Sequence, residues 1–165
     1  MKNYKKVISI FLSLVIIGVI WFPNKLVACA EEIEVPGYCE YVETEGESIV
    51  HWYAIARGTY LKDSICGIVD AGKAKVSVSG TTTAHKVCDT IRVSIALDES
   101  SDGGKTFGQI GIYYFSRNNA SNCHGSKTDI SVTSGWCYMV RGGHSATKGS
   151  TTESTTTYTG VLTAS

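Results

Sequence analysis

The sequence predicts an all-β fold, an antiparallel β-sandwich, carried behind an N-terminal signal peptide that is cleaved. Three observations predict it. Residues 1–30 have the three-part layout of an export signal. Beyond them, apolar residues recur with a period of two rather than 3.6. Turn signals rich in Gly, Asp and Ser separate the alternating runs at short intervals.

The signal is read first. Lys2, Lys5 and Lys6 form its basic start, and Val7 to Phe22 an almost unbroken apolar run. Pro23-Asn24-Lys25 ends that run, and Ala28 and Ala30 supply the small residues a signal peptidase reads. Cleavage after Ala30 leaves a chain that starts at Glu31. The alternative takes Leu26-Val27-Ala28-Cys29, which resembles a lipobox, with Cys29 lipidated. The intervening Pro23, Asn24 and Lys25 favour cleavage after Ala30. The apolar run is about sixteen residues, shorter than the roughly twenty a spanning helix needs. No membrane span is therefore expected after cleavage. The expected location is secreted or extracellular, the alternative being a lipid anchor at Cys29.

Residues 31–48 read as an acidic flexible arm, because seven acids and no base fall within 31–47. A single domain is expected over 49–165. Residues 49–56 and 58–69 read as strands. Val76 and Val78 alternate with Lys75, Ser77 and Ser79. Ile91, Val93, Ile95 and Leu97 alternate with Arg92, Ser94, Ala96 and Asp98, as in a strand with one buried face. Ile110, Ile112 and Tyr114 share a face, as do Trp136, Tyr138 and Val140. The β-branched run from Thr155 to Thr163 suits a pleated surface. Turns are expected at Asp70-Ala71-Gly72, Ser79-Gly80, Asp102-Gly103-Gly104, Ser134-Gly135, Gly142-Gly143 and Lys148-Gly149. Many short strands at this spacing fit an Ig-like or jelly-roll-like sandwich, and no amphipathic helix follows Glu31.

Charge narrows the partners. The signal holds four of the 15 basic residues and no acid, so the chain beyond it has 11 bases against 15 acids. A basic nucleic-acid footprint is absent, and no nucleic-acid partner is expected. Five cysteines remain after cleavage: Cys39, Cys66, Cys88, Cys123 and Cys137. Export permits disulfides among them, and spacing alone does not choose the pairs. Equally, some can be small buried apolar residues. No C-x-x-C spacing supports a metal or redox site, and no cofactor loop is present.

Two groups of residues carry candidate chemistry. Residues 100–107 read SSDGGKTF, which fits the Asp-box pattern through Ser100, Asp102, Gly104, Thr106 and Phe107. The box resembles hairpins of sialidases and other secreted β proteins. A single copy on a chain this short predicts a structural hairpin, the Asp102 carboxylate accepting bonds from the turn's backbone. A calcium loop through Asp98, Glu99 and Asp102 would lack EF-hand spacing. The second group is Arg141, His144 and Glu153, expected at one end of the sheet as a ligand-contacting or structural cluster. In that reading an Arg141–Glu153 contact, with His144 packed across it, pins the loop 142–152. His51, His85 and His124 are scattered without metal spacing. Trp52, Tyr53, Tyr60, Tyr113, Tyr114, Trp136 and Tyr138 are expected mostly in core and sheet-face packing, with a sugar-binding face as the sharper alternative.

The segments RGTYL (57–61), KVSVSGTTTAHKV (75–87), IRVSIALDESSDGGKTF (91–107), GWCYMVRGGHS (135–145) and ES (153–154) together resemble a family of small exported proteins. That family comes from Firmicutes, including clostridia and bacilli, and is known only as a domain of unknown function. The resemblance spans about residues 50–163 and implies a secreted or envelope location. It supplies no activity and no site residue. The chain departs from the family pattern at Cys88 and Cys137, where the resemblance implies other residues.

With no nucleophile–base pair, metal spacing or cofactor loop, the expectation is a non-catalytic binding module for an unknown extracellular protein or glycan. A small secreted hydrolase using His144, Glu153 and Arg141 is one alternative. A secreted antibacterial effector is another.

Overall fold

The computed structural model describes residues 31–55 and 59–165. The signal segment, Cys29 and Arg57-Gly58 lie outside the described residues. Among those described there are nine strands and no helix: β1 (Glu31–Glu34), β2 (Gly37–Thr44), β3 (Glu47–Ala54), β4 (Leu61–Asp70), β5 (Lys75–Ser100), β6 (Gly108–Ser131), β7 (Cys137–Lys148), β8 (Thr151–Tyr158) and β9 (Leu162–Thr163). The all-β expectation therefore holds. Hydrogen bonding joins the strands into one curled, open sheet.

The spine of that sheet is the long hairpin β5–β6. Its first half, from Lys75 to Thr83, carries β4, β3 and β2 on the side away from β6. Its second half, from Thr90 to Ser100, carries β7 and then β8 and β1. The hairpin bends between Thr83 and Cys88, where its register shifts. Two glycines allow the fold-over. Gly80 and Gly125 face each other across the hairpin. A Cβ at Gly80 would lie 2.8 Å from Val93 Cγ2, and one at Gly125 would fall on the Phe115 ring. The hollow left by the glycine pair of one half is thus filled by side chains of the other half.

The curl brings the two wings face to face. Val50, Cys66, Ile68, Val76 and Val78 from the first wing pack with Ile91, Val93, Ile95, Leu97, Tyr138, Val140 and Ala146 from the second. Each Val, Ile and Leu among these, exposed in an unfolded chain, contributes about 1.5–3 kcal/mol by leaving water. The alternating pattern of Ile91 to Leu97 places the apolar members inward, as the period of two requires.

Three expectations change. The acidic stretch 31–48, expected as a flexible arm, is strand: β1 pairs with β8 and β2 with β3, through a two-residue turn at Glu45-Gly46. Its acids do not oppose this, because Glu32, Glu34, Glu40 and Glu43 all face solvent, and charge on an edge strand guards it against further pairing. Second, β1 runs parallel to β8, an exception in an antiparallel sheet. Third, Ser79-Gly80 and Gly142-Gly143, expected as turns, lie inside β5 and β7. Those glycines serve close packing rather than chain reversal. The true reversal after β7 is Gly149-Ser150, held by Asp89, which accepts from Gly149 N at 2.7 Å and from Lys148 Nζ at 2.6 Å.

Candidate functional site

Along β7, Tyr138, Val140, Gly142, His144 and Ala146 point into the core, and Arg141, Gly143 and Ser145 point away from it. Along β8, Glu153, Thr155 and Thr157 point in, and Ser154, Thr156 and Tyr158 point out. Arg141 is thereby separated from His144 and Glu153 by the thickness of the sheet. The Arg141–Glu153 contact does not form.

Each member of the trio has a different partner. Arg141 donates from Nε to Asp98 Oδ2 at 2.5 Å and from Nη2 to Asp98 Oδ1 at 3.0 Å, with a third bond to Gln109 Oε1 at 3.1 Å. Asp98 is only 3% exposed, and its forked pairing raises the guanidinium's proton affinity further. Asp98 is therefore committed and does not join Asp102 in a calcium loop.

Glu153 is 5% exposed and makes no ion pair with a described residue. Its carboxylate instead accepts three backbone N–H bonds: Thr59 to Oε1 at 2.8 Å, and Tyr60 and Leu61 to Oε2 at 2.9 and 2.7 Å. It ties the start of β4 to β8.

His144 is 2% exposed, between two hydroxyls: Thr82 Oγ1 lies 2.9 Å from Nδ1 and Thr157 Oγ1 lies 2.9 Å from Nε2. Thr82 also donates to the Arg92 carbonyl at 2.8 Å, and Thr157 Oγ1 lies 3.0 Å from Cys66 Sγ. Burial without a carboxylate partner pushes the His144 pKa down to about 3, so the ring is neutral. Burial likewise pushes the Cys66 thiol up to about 11. A neutral, enclosed imidazole beside a protonated thiol is a satisfied polar core, out of reach of an external substrate. Gly142 belongs to the same arrangement, since a Cβ there would lie 2.6 Å from His144 Nε2.

The 100–107 segment forms the connection from β5 to β6. Ser100 Oγ donates to Asp102 Oδ1 at 2.6 Å and accepts from Gly104 N at 2.9 Å. Asp102 also accepts from Lys105 N, Thr106 N and Thr106 Oγ1. These bonds hold the carboxyl well below the usual carboxylate range. Gly103 and Gly104 take φ of 76° and 86°, and Phe107 lies over Gly104. Both Asp102 carboxylate oxygens are used within the turn.

The five described cysteines are unbridged: Cys66, Cys88 and Cys123 are buried, Cys137 half-buried and Cys39 exposed. His51 stacks on Tyr53 and His124 meets Thr81. Among the described residues no three His, Cys, Asp or Glu side chains gather as a metal site, and no helix is long and apolar enough to cross a membrane. Of the seven aromatics singled out, Trp52 and Tyr138 are buried, and Tyr60, Tyr113 and Trp136 pack against the core. Tyr53 stacks between His51 and Tyr38. Tyr114 is different: 74% exposed.

Tyr114 borders a groove of about 520 Å³ on the outer face of the second wing. Strand register builds it. One row across the sheet reads Tyr114, Ser94, Gly143 and Thr156 on β6, β5, β7 and β8. The next reads Ser116, Arg92, Ser145 and Ser154, and Glu32 closes the far end from β1. The floor is low at Gly143, where a Cβ would lie only 2.6 Å from the Ser94 hydroxyl. Arg92 makes no ion pair with any described residue. The lining holds two residues that the sequence singles out: Tyr114, as a possible sugar contact, and His144, whose buried ring points to the core. The pointer to the rest is the polar half of the alternation in residues 91–97, whose outward members are Arg92, Ser94 and Ala96.

The fold and groove define a small all-β module with a surface cleft and a core in which His144 and Glu153 have hydrogen-bond partners. The chain belongs to the family of unknown function DUF6147, whose family model matches residues 26–161. No curated protein and no solved structure matches it.

Proposed function

We propose that this protein is a secreted or cell-surface module that binds an extracellular partner without catalysing a reaction, its two wings serving as the layers of a β-sandwich. The observation that carries this reading is the outer groove. It gathers an unpaired guanidinium, exposed hydroxyls and a free aromatic ring on rigid strands, where contacts are held in place without a mobile loop. The residues whose types suggested catalysis are each held by other partners: His144 and Glu153 are buried among hydroxyls and backbone N–H groups, and Arg141 is held by Asp98 and Gln109. The export signal of residues 1–30, cut after Ala30, supports delivery to the outside; lipidation at Cys29 would keep the protein at the surface.

The test uses the exported protein. Intact mass should give Glu31 as its first residue. On arrays of defined oligosaccharides and peptides, saturable binding should appear and should weaken in Tyr114→Ala. Binding that ignores Tyr114, or turnover of any ester, peptide or glycoside that disappears in His144→Ala, defeats the reading.

A further inference from the structure

We infer that the groove takes a short glycan ending in a carboxylated sugar, with the sugar ring on Tyr114 and its carboxylate on Arg92. This rests on the reading of the groove as the binding site and goes on to name the ligand's chemistry.

Four features select that chemistry. Tyr114 and Arg92 sit on neighbouring strands one row apart, since Tyr114 registers with Ser94 and Ser116 with Arg92. A ring stacked on the tyrosine therefore presents its substituents to the guanidinium. Arg92 has no side-chain acceptor among the described residues, in contrast to Arg141, which is saturated by Asp98 and Gln109. A planar fork with free donors matches a carboxylate better than a hydroxyl.

The floor offers hydroxyls and a glycine. Ser145, Ser154 and Thr156 can each donate and accept, as a polyol requires, and Ser94, which donates to the Gly143 carbonyl at 3.3 Å, can still accept. From β6 to β8 the groove crosses three strand spacings, roughly 14 Å, the span of a short oligosaccharide. Glu32 stands at the far end. It repels a second carboxylate there and fixes the acidic end at Arg92.

The experiment is isothermal titration of the exported protein with four probes: sialyllactose, which carries one terminal carboxylate; its uncharged methyl ester; trigalacturonate, a polyanion of similar length; and a tripeptide with a free C-terminal carboxylate. Sialyllactose should bind at least about tenfold tighter than the ester, the loss expected when a charge-assisted bond is removed. Arg92→Gln should remove that difference while leaving ester binding as it was. Tyr114→Ala should weaken both sugars. Glu32→Gln should tighten trigalacturonate and leave sialyllactose unchanged. Equal binding of acid and ester, lost in Tyr114→Ala, would overturn the acidic-sugar assignment and leave the groove as a neutral-glycan site. Tripeptide binding through Arg92 with no sugar binding would overturn it in favour of a peptide. If no probe binds in a Tyr114-dependent way, the groove reading falls as well. Circular dichroism of each variant should match the parent, since all three side chains point to solvent.

Discussion

On the inner face of β7 and β8, His144, Glu153 and Thr157 each meet partners within 3.0 Å. One residue along, on the outer face of the same strands, Ser145, Ser154 and Thr156 line a groove beside an unpaired Arg92. The residue types overlap, and the chemistry available to a ligand does not. Inside, each buried polar atom must be satisfied by the protein, because an unpaired one costs several kcal/mol. Outside, water satisfies it until something else does. The comparison teaches that a His or Glu is a poor marker of a site in a sheet of this kind, and that the parity of its position says more.

The sharpest way to break the comparison is at Glu153. Glu153→Gln keeps the shape and sets an amide N–H₂ against backbone donors of Thr59, Tyr60 and Leu61. The amide oxygen can keep part of the set, but the charge is lost and at least one buried N–H faces the N–H₂ unpaired, which should cost about 3–5 kcal/mol. For a domain of this size that is a drop of roughly 10–20 °C in melting temperature. Thermal melting followed by circular dichroism checks it. A change under about 1 kcal/mol would place Glu153 with the outer, dispensable set.

His144 sharpens the same contrast through pH. Its folded pKa is lowered to about 3 from an ordinary 6.5. The unfolded chain therefore takes up a proton first as the solution is acidified. The stabilising contribution is fully present above pH 6.5 and is lost as pH falls toward the folded value. Between pH 7 and 4.5 the loss should be about 2–3 kcal/mol. Urea denaturation at both pH values should show it in the parent. In His144→Gln that portion of the slope should vanish, although the variant starts less stable at pH 7. Parallel slopes in the two proteins would mean that the imidazole is charged or exposed in the folded state.

How much of this was legible in the sequence follows the same physical line. The period-two runs showed the strand class and the inward side of Ile91 to Leu97, because burial on one face imposes alternation. The Asp-box turn was legible down to Asp102, since all its bonds are local. The acidic stretch 31–47 misled, because edge strands carry the charges that loops also carry. The dipeptides at Gly80 and Gly142-Gly143 misled too. Their role depends on Val93, Ser94 and Thr157, residues remote in sequence that occupy the space a Cβ would fill. A turn at Gly142-Gly143 ends β7 too early and puts His144 on a loop. The partners of Arg141 and Glu153 lie 43 and about 93 residues away, and only the register of the folded sheet reveals them.

The smallest effect on stability is expected where the largest effect on binding is. Arg92→Gln and Tyr114→Ala alter side chains with no partner among the described residues to lose. Arg92 is exposed, and Tyr114 rests on an outer strand with its ring in water. Substitutions of that kind change folding free energy by less than about 0.5 kcal/mol. Removing Tyr114 takes away an exposed apolar surface without opening a cavity, so the cavity cost that accompanies core truncation does not arise. Chemical denaturation of each variant beside the parent checks it, with the same midpoint and slope expected. A loss above about 1 kcal/mol in Arg92→Gln would show that the guanidinium has an internal partner. Arg92 would then belong with Arg141, and the division between a committed inner face and an available outer face would lose its main support.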